Sequence, residues 1–470
     1  MNGLKRLVVP LLLLASLSAG AYGQTLTTLW QFGAVPANGL YPGAGLVLIQ
    51  AADSNFYGTT FEGGTNGAGT VFRLTPAGSL STLWQFGGAT TNGANPYAGL
   101  VQAGDGFFYG TTVSGGMNGS GTVYRITAAG TLTTLYQFGG LATDGSKPES
   151  ALVQAGDGAL YGATAAGGTN GAGTVYRITT AGTLTTLHQF GALPADGSGP
   201  AAGLTQAGDG ALYGTTASGG TNAAGTVFRI TTAGTLTTLY QFGGLPTDGS
   251  GPVAGLALGC DGFFYGTTAA GGTNAAGTVF RITSAGTLTT LCQFSANPTN
   301  DQQPHAGLVQ GSDGNFYGTT FLGGTNQLGA VFRISPAGVL STLWQFGGNN
   351  TNGDHPEAGL VQGTDGNFYG ATPYGGTNSV GAVYRLSVPL TPPPWPINQI
   401  TGFKFAGANV LVTIPTIAAE TYQLQFTHSL TPTNWTGQGA PVTALGSLMT
   451  FTNPAAASPA QGFYRYQITP

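Results

Sequence analysis

The chain has 470 residues, a formal net charge of −4 and a charged fraction of only 6%. Aromatic residues make up 10% of it and 83 residues are glycine, which excludes a disordered chain because large hydrophobic side chains are plentiful. The few cations form no basic patch, which argues against a nucleic-acid partner. We expect an ordered protein built from β-strands and glycine-rich turns.

The first 23 residues have the pattern of a secretory signal peptide. Lys5 and Arg6 precede the apolar stretch 7–17, and small residues at 19, 21 and 23 provide cleavage sites after Ala21 or Gly23. A membrane anchor would need about 18 or more apolar residues. We therefore expect residues 1–23 to be removed, leaving no transmembrane segment and a protein that is secreted or held at the cell surface.

From residue 24 onward the chain repeats with a period of 52 residues. A Tyr-Gly dipeptide recurs seven times at this step. In the unit 98–138, four β-rich runs (a, 98–102; b, 107–113; c, 121–127; d, 131–138) are separated by turns containing Gly, Asp or Asn. Repeated four-stranded units of this length are typical of β-propeller blades.

The two ends of the repeat region predict a closed ring. Residues 26–32 match strand d with no preceding a, b or c, whereas 359–386 supply a, b and c with no d. Pairing the two ends would complete a seventh blade and cover exposed sheet edges. An open solenoid is the alternative, and it would need caps. We predict an all-β fold in which residues 24–386 form a seven-bladed β-propeller closed by an N-terminal strand.

Beyond residue 386 the composition changes. Residues 387–399 are rich in proline and predict a stiff linker. Residues 400–470 contain strand candidates at 410–414, 421–427, 447–452 and 462–468. We predict that this segment is a separate small β-sandwich, for which about 70 residues suffice.

The two cysteines are not expected to form a disulfide. Cys260 occupies a turn position next to the innermost strand, and Cys292 lies on the outermost strand of the same predicted blade. Three strand spacings of about 4.8 Å separate these strands, which is too far for a disulfide. We interpret both as isolated substitutions.

The motifs of one unit resemble a known family. They are Asp-Gly-Asn-Phe-Tyr-Gly-Thr-Thr (313–320), Gly-Gly-Thr-Asn (323–326), Val-Phe-Arg (331–333) and Leu-Trp-Gln-Phe-Gly-Gly (343–348). Together they are similar to the GloVer tandem repeat of exported bacterial proteins, over residues 24–386. The motifs in 421–465 look like a β-sandwich module carried by such proteins. The resemblance implies export and β-propeller-like repeats, and it transfers no functional residue.

Seven aspartates keep the 52-residue step and lie 20 residues before seven arginines. Paired carboxylates are typical of acid–base catalysis, but seven copies argue against a single catalytic centre. The a–b turn and the end of strand c lie on the same side of a blade, so we predict a structural ion pair in each blade. The pairs are Asp53–Arg73, Asp105–Arg125, Asp157–Arg177, Asp209–Arg229, Asp261–Arg281, Asp313–Arg333 and Asp365–Arg385.

Two other repeated features have structural interpretations. The Tyr and Phe residues of strand b suit a core between blades better than a sugar-stacking surface. The d–a loops contain Asp or Asn, mostly followed by Gly and then by Pro, which is turn chemistry. Calcium would need several converging oxygens, and no closely spaced run of acidic residues supplies them. We predict no metal and no cofactor.

Ligand binding is expected where the repeats differ. The d–a and b–c loops meet on one face of the propeller, which we call the top face, and most non-repeated acidic residues fall there. Binding residues commonly lie on such loops. The ligand-binding candidates are Lys147, Asp301, His305, Asp354, His355 and Glu357.

These features favour a monomeric, non-enzymatic exported scaffold that binds a glycan or a surface protein. The inner strands carry no acid, base or nucleophile, and the histidines fit no metal or triad spacing. The alternative is a carbohydrate-active hydrolase or lyase. Its centre would lie among the acids and histidines of 301–305 and 354–357, and no catalytic residue is assigned.

Overall fold

The computed structural model describes residues 24–42, 48–193, 195–295, 301–347 and 351–389, and the backbone of the strands in the tail. The predicted signal peptide and most of the predicted linker lie outside these residues. Seven antiparallel sheets form the blades; six have four strands, and the sheet of the first blade has a fifth, Leu40–Pro42. In the described part of the chain the only helical element is the 3₁₀ turn Pro36–Asn38, and no helix there is long and apolar enough to cross a membrane.

The blades are numbered 1 to 7 in chain order, and each contains strands a to d. The a strands are Ile49–Gln50, Val101–Gln102, Val153–Gln154, Thr205–Gln206, Ala257–Leu258, Val309–Gln310 and Val361–Gln362. The b strands are Phe56–Glu62, Phe108–Thr112, Leu160–Thr164, Leu212–Thr216, Phe264–Thr268, Phe316–Thr320 and Phe368–Thr372. The c strands are Thr70–Leu74, Thr122–Ile126, Thr174–Ile178, Thr226–Ile230, Thr278–Ile282, Ala330–Ile334 and Ala382–Ser387. The d strands are Leu80–Gln85, Leu132–Gln137, Leu184–Gln189, Leu236–Gln241, Leu288–Gln293, Leu340–Gln345 and, for blade 7, Thr25–Gln31.

Strand a is shorter than predicted. In blade 2 strands b, c and d match the predicted bounds to within one residue at each end, but strand a is Val101–Gln102 instead of 98–102. The innermost segments approach the neighbouring blade at this point. A Cβ on Gly255, for example, would lie 2.9 Å from the carbonyl oxygen of Gly203. The first residues of the segment therefore pack between blades instead of pairing with strand b.

The N-terminal strand closes the ring, as predicted. Thr25–Gln31 pairs antiparallel with Ala382–Ser387 and becomes strand d of blade 7. A second contact across the ends joins the a–b turns, where the side chain of Gln50 accepts a hydrogen bond from the backbone N–H of Thr364 at 2.8 Å. The same contact links most neighbouring blades, as in Gln154 with Gly104 at 2.8 Å. The junction between the termini therefore repeats the contacts of an internal junction.

The core lies between blades, which confirms the structural interpretation of the repeated aromatic residues. Each of the seven apolar clusters combines residues of two neighbouring blades. The Tyr213 ring of strand b stacks on Phe264 of the next blade with centroids 4.1 Å apart. Tyr369 of blade 7 packs on Phe56 of blade 1 at 4.0 Å, which continues the arrangement across the closure.

The glycine of each Tyr-Gly dipeptide is required by this packing. A Cβ on Gly214 would lie 2.6 Å from Cζ of Phe228 and 2.7 Å from Cδ2 of Leu204. The corresponding glycines of the other blades meet an aromatic ring and a leucine in the same way. The dipeptide is therefore a construction feature of the blade and not a mark of activity.

We predict that Gly214→Ala lowers the free energy of unfolding by about 1–3 kcal/mol, the usual cost of overpacking a core. The matched control is Gly208→Ala in the a–b turn of the same blade, where a Cβ would meet no atom within 4 Å. Urea unfolding of the two variants measures the difference. Equal stabilities would show that strand b accommodates the added methyl group.

The top face is built by d–a loops that pair with the ends of b strands. Two-residue ribbons join Gly145–Ser146 to Ala166–Gly167, Gly197–Ser198 to Ser218–Gly219, Gly249–Ser250 to Ala270–Gly271 and Asp301–Gln302 to Leu322–Gly323. Leu40–Pro42 pairs with strand b of blade 1 in a similar way. The Asn of the b–c loop donates to the end of strand d, as in Asn222 Nδ2 to Phe242 O at 3.0 Å. The top face is thus held by hydrogen bonds that leave many side chains free to vary.

The tail contains two further sheets. One consists of Gly402–Ala406, Asn409–Pro415 and Leu448–Asn453, and the other of Thr421–Thr427, Thr436–Gly437, Val442–Thr443 and Phe463–Thr469. All four predicted strands are present, within one residue at each end. The division of the chain into a propeller, a linker and a sandwich stays a prediction.

Candidate functional site

A ring of left-handed residues lies on the top face, each directly before the repeated proline. The residue before the proline has a φ angle between 49° and 64° in every blade. The backbone is held on both sides: the N–H of Gln303 donates to Ala276 O, and its carbonyl accepts from Phe321 N–H, both at 2.9 Å. The ring consists of Tyr41, Asn95, Lys147, Gly199, Gly251, Gln303 and His355. Five blades keep a side chain despite the cost to any residue with a Cβ, and such strain clusters at functional sites.

A row of aromatic side chains crosses blades 6, 7 and 1, and it includes two residues of this ring, His355 and Tyr41. His305 stacks on Phe321 with ring centroids 4.9 Å apart and planes at 6°. Phe321 lies 4.9 Å from His355, and His355 lies 6.2 Å from Tyr374. Tyr374 packs edge-on against Tyr41 at 5.9 Å and is 43% exposed. These rings belong to distant parts of the chain and form one surface only in the folded ring.

A further edge-to-face pair, Phe61 and Tyr97, has centroids 6.1 Å apart and extends the aromatic surface into blade 2. We call the full set the aromatic crescent: His305, Phe321, His355, Tyr374, Tyr41, Phe61 and Tyr97. Blades 4 and 5 have no aromatic side chain at the equivalent positions, which hold Gly199, Ala201, Ala217, Gly251, Val253 and Ala269. The crescent therefore makes the top face of an otherwise regular ring asymmetric.

Half-buried carboxyl groups accompany the crescent. Burial raises the pKa of Glu357, with His355 acting in the opposite direction, and burial raises the pKa of Glu149, with Lys147 opposing it. Burial also raises the pKa of Tyr97 to about 12, and the charges of Glu357 and Glu149 add to this rise. The two glutamates therefore lie within electrostatic range of one ring, although they come from the loops entering blades 3 and 7.

The structure brings most of the predicted ligand-binding residues to this surface. His305 and His355 are part of the crescent, and Glu357 lies beside it. Asp354 is hydrogen-bonded to Nδ1 of His355 at 3.1 Å. Lys147 is exposed and occupies the left-handed ring of blade 3. Their role in binding remains a prediction.

Asp301 differs from the other candidates because it is buried. Only 3% of the residue is exposed, and Oδ2 accepts a hydrogen bond from Thr342 at 2.7 Å. Oδ1 is also buried and has no partner in the described part of the chain. Burial raises the pKa of this carboxyl, with the Thr342 bond acting in the opposite direction. A residue enclosed in this way is not available to a ligand on the top face.

We predict that Asp301→Asn raises the free energy of unfolding at neutral pH by about 1 kcal/mol, because it removes a buried charge and keeps an acceptor for Thr342. The folded-state pKa of Asp301 lies above the unfolded one, so the charged form is disfavoured by folding. The stability difference between the unsubstituted protein and the variant should therefore shrink as the pH falls through the folded-state pKa of Asp301 toward the unfolded value of about 3.9. Urea unfolding at several pH values measures this convergence, with Asp354→Asn as the control. A loss of stability at neutral pH would contradict it.

The sequence prediction relied on charged residues and histidines, so it did not include the phenylalanine and tyrosine side chains of the crescent. Phe321 and Tyr374 each stand where most other units have a small residue, whereas the position of Tyr97 varies among the units. A comparison of the seven units, position by position, exposes these substitutions. The sequence does not show that these aromatic side chains lie together, because they are brought into contact only when the propeller closes.

Among the residues that the structure describes, the predicted Asp–Arg pairs are direct ion pairs in only two of the seven blades. Direct contacts within 4.0 Å among the described residues occur in two of them, Arg177 to Asp157 at 3.2 Å and Arg229 to Asp209 at 2.8 Å. In all seven blades the aspartate instead accepts a hydrogen bond from the strand-b tyrosine at 2.6–3.1 Å. The prediction correctly placed the a–b turn and the end of strand c on one face, but it did not include the tyrosine hydroxyl, which binds the carboxylate in every blade.

In blade 3, hydrogen bonds to the aspartate oppose the effect of burial on its pKa. Burial alone would raise the pKa of Asp157, but hydrogen bonds from Tyr161, the Ala159 N–H and Arg177 hold it below its ordinary value. In blades 2 and 5 the guanidinium lies instead over a phenylalanine ring, as in Arg125 over Phe107 at 4.8 Å. All seven clusters lie at the a–b turns, opposite the top face, and have a structural role.

The aspartates of the d–a loops and the cysteines also have local explanations. Asp144 accepts hydrogen bonds from Tyr136 at 3.1 Å and from the Gly139 N–H at 2.9 Å, which ties the loop to strand d. Both Cys260 and Cys292 are free thiols, as expected. Among the described residues no group of three His, Cys, Asp or Glu side chains is placed to hold a metal ion.

Two solved structures share the propeller architecture. Virginiamycin B lyase from Staphylococcus aureus is 14% identical, with a TM-score of 0.51, over 78% of this chain and 99% of its own. The extracellular domain of a hybrid two-component system from B. thetaiotaomicron is 12% identical, with a TM-score of 0.50, over 94% of this chain and 55% of its own. At these identities the similarity shows the fold alone.

The sequence comparisons give the family. No curated protein matches this sequence. The Gloeobacter/Verrucomicrobia repeat matches residues 18–157, 141–302 and 260–392, which together cover the whole propeller. This chain belongs to the Gloeobacter/Verrucomicrobia repeat family.

Proposed function

We propose that this protein is an exported, non-enzymatic binding protein that holds a glycan on the top face of its propeller. The observation that carries the proposal is the aromatic crescent, confined to four consecutive blades of a regular ring. Aromatic rings offer flat apolar surfaces for the carbon–hydrogen faces of sugars. The neighbouring carboxyl groups accept hydrogen bonds from hydroxyl groups. A few polar groups around an apolar surface are typical of small-molecule sites.

The test is binding of the full mature chain to a glycan array, followed by titration of the bound glycan. Tyr374→Ala removes a ring that is 43% exposed, and we expect it to weaken binding at least tenfold. The control is Leu245→Ala, which removes an exposed side chain away from the crescent. Unchanged affinity in Tyr374→Ala, or an array with no bound glycan, would reject the proposal. Capture of a surface protein by the crescent would identify the other class of partner.

Export is part of the same proposal. It is supported by the order of charged, apolar and small residues in 1–23. N-terminal sequencing of the protein recovered outside the cytoplasm should begin at Tyr22 or Gln24. Recovery of the chain with Met1 retained, in the cytoplasm, would reject this part.

A second candidate is a carbohydrate-active hydrolase or lyase. It is favoured by Glu149 and Glu357, two half-buried carboxyl groups whose pKa burial raises, as a general acid requires. It predicts turnover on a polysaccharide panel that Glu357→Gln abolishes. Binding without turnover would leave the scaffold function in place.

A further inference from the structure

The charges of the propeller are segregated between its two faces. Eight acidic residues lie on the top face or in its loops: Glu62, Asp144, Glu149, Asp196, Asp248, Asp301, Asp354 and Glu357. In the sequence of the repeat region, Lys147 is the only Lys or Arg besides the seven repeated arginines. On the opposite face seven aspartates are balanced by seven arginines. The excess negative charge of the propeller is therefore concentrated on the face that carries the crescent.

Two carboxyl groups belong to the same surface as the aromatic rings. Glu149 and Tyr97 occupy the same repeat position in neighbouring blades 3 and 2, directly after the repeated proline, and Glu357 occupies that position in blade 7, two residues after His355. Glu357 acts electrostatically on both Tyr97 and Tyr374, and Glu149 acts on Tyr97. Both glutamates are half-buried, and neither forms an ion pair within 4.0 Å among the described residues. A neutral sugar would donate hydroxyl hydrogen bonds to these carboxylates, but it would supply no positive charge to offset the cost of desolvating them.

From this arrangement we infer that the glycan held at the crescent carries protonated amino groups, as an oligomer of glucosamine does. An ammonium group beside Tyr97 would be attracted by the ring face and by the carboxylates of Glu149 and Glu357 together. The alternating sugar faces would lie against the row from His355 to Tyr374. This inference rests on the proposed function and names the chemical class of its ligand.

The alternative of a metal ion on the acidic face does not fit the geometry. A calcium ion requires several oxygens at one point. The described carboxyl groups are distributed over separate loops, and no three of them are grouped for a metal. Asp354 is engaged with His355 at 3.1 Å, and Asp301 is buried. A long ligand with several separate charges matches carboxylates placed along a row of rings.

The experiment compares three hexamers by isothermal titration calorimetry of the full mature chain in mildly acidic buffer, in which the amines of glucosamine are protonated. They are the hexamer of glucosamine, its N-acetylated form and the corresponding glucose hexamer, in which a hydroxyl replaces each amine. We expect the glucosamine hexamer to bind at least tenfold more tightly than either neutral hexamer. The preference should decrease as salt is added, because it depends on charge attraction.

Two isosteric variants, Glu357→Gln and Glu149→Gln, test the residues. Each should reduce about tenfold the ratio of the affinity for the glucosamine hexamer to the affinity for the neutral hexamers, because the amide keeps a hydrogen-bond acceptor for hydroxyl groups but loses the charge that attracts the amine. Thermal unfolding of each variant shows whether its fold is retained. Equal affinity for all three hexamers, or an undiminished preference in both variants, would overturn the inference and leave glycan binding standing. Binding of no hexamer, together with an array that holds no glycan, would remove the proposed function itself.

Discussion

Replacing Phe32 with alanine is expected to lower the free energy of unfolding by about 3–5 kcal/mol, the usual cost of removing a buried phenylalanine. Phe32 follows the N-terminal strand and is 1% exposed. Its ring packs edge-on against Phe72 of blade 1 with centroids 5.6 Å apart. Its backbone N–H donates to Gly381 O at 3.0 Å, and Asn378 Nδ2 donates to its carbonyl at 2.8 Å. One side chain therefore supports the contact between the two ends of the repeat region.

The matched control is Phe346→Ala at the same position of blade 6. Phe346 is also 1% exposed, and it packs against Tyr384 with centroids 5.4 Å apart. Urea unfolding followed by tryptophan fluorescence should give similar losses for the two variants, because the closing junction has the contacts of an internal one. Limited proteolysis should distinguish them: Phe32→Ala should be cut near its N-terminal strand, and Phe346→Ala should not. A loss below about 1 kcal/mol for Phe32→Ala would contradict closure by this strand, since it falls far short of the usual cost.

Closure does not depend on backbone pairing alone. Gln31 accepts a hydrogen bond from the N–H of Thr377 at 2.8 Å, and Gln50 accepts one from Thr364. The stacked pair Phe56 and Tyr369 adds an aromatic contact at 4.0 Å. An open form would expose strand edges and these buried rings together. The closed ring therefore gains hydrogen bonds and buried apolar surface at the same step.

The architecture was predictable because its signals are local and repeated. The Tyr-Gly period defines the blades, and the unmatched strand at 26–32 predicts the closure that the structure contains. The shortness of strand a was not predictable, since Ala98, Gly99 and Leu100 have an acceptable strand pattern. Their pairing is limited by the neighbouring blade, and a single unit of the sequence carries no information about that contact.

The candidate site was predictable only in part. Lys147, His305 and His355 attract attention in the sequence because charged residues are rare, and all three contribute to the top face. Asp301 attracts attention for the same reason, yet its side chain points into the interior. Tyr41 and Tyr374 are separated by more than 300 residues, and they meet at 5.9 Å only because the last blade is completed by the first strand.

The aspartate of each a–b turn is bound by a tyrosine hydroxyl, and the importance of such a bond can be tested with two buried tyrosines, Tyr317 and Tyr384. Tyr317 is fully buried, and its hydroxyl donates to Asp313 at 2.8 Å. Tyr384 is also fully buried, but its hydroxyl has no partner in the described part of the chain. The same chemical change, removal of one hydroxyl, therefore has opposite expected consequences at the two positions.

Tyr317→Phe is expected to lower the free energy of unfolding by about 1.5–3 kcal/mol, because a carboxylate that is only 2% exposed loses a charge-assisted hydrogen bond. Asp313 keeps its bonds from Asn315 at 2.7 and 3.1 Å, which limits the loss. Tyr384→Phe is expected to be neutral or stabilising by about 1 kcal/mol, because it removes a buried polar group without a partner. Four other blades have phenylalanine at this position, at Phe72, Phe228, Phe280 and Phe332.

Parallel urea unfolding of both variants and of the native protein measures these opposite signs. Equal small effects would mean that Tyr317 contributes through its ring alone. A large loss in Tyr384→Phe would mean that its hydroxyl has a partner, such as an ordered water molecule. A loss in Tyr317→Phe alone would establish that each blade is fastened by a tyrosine hydroxyl on an aspartate, with the arginine as an auxiliary charge. The arginines would then be replaceable at less cost than the tyrosines, which reverses the order that an ion pair implies.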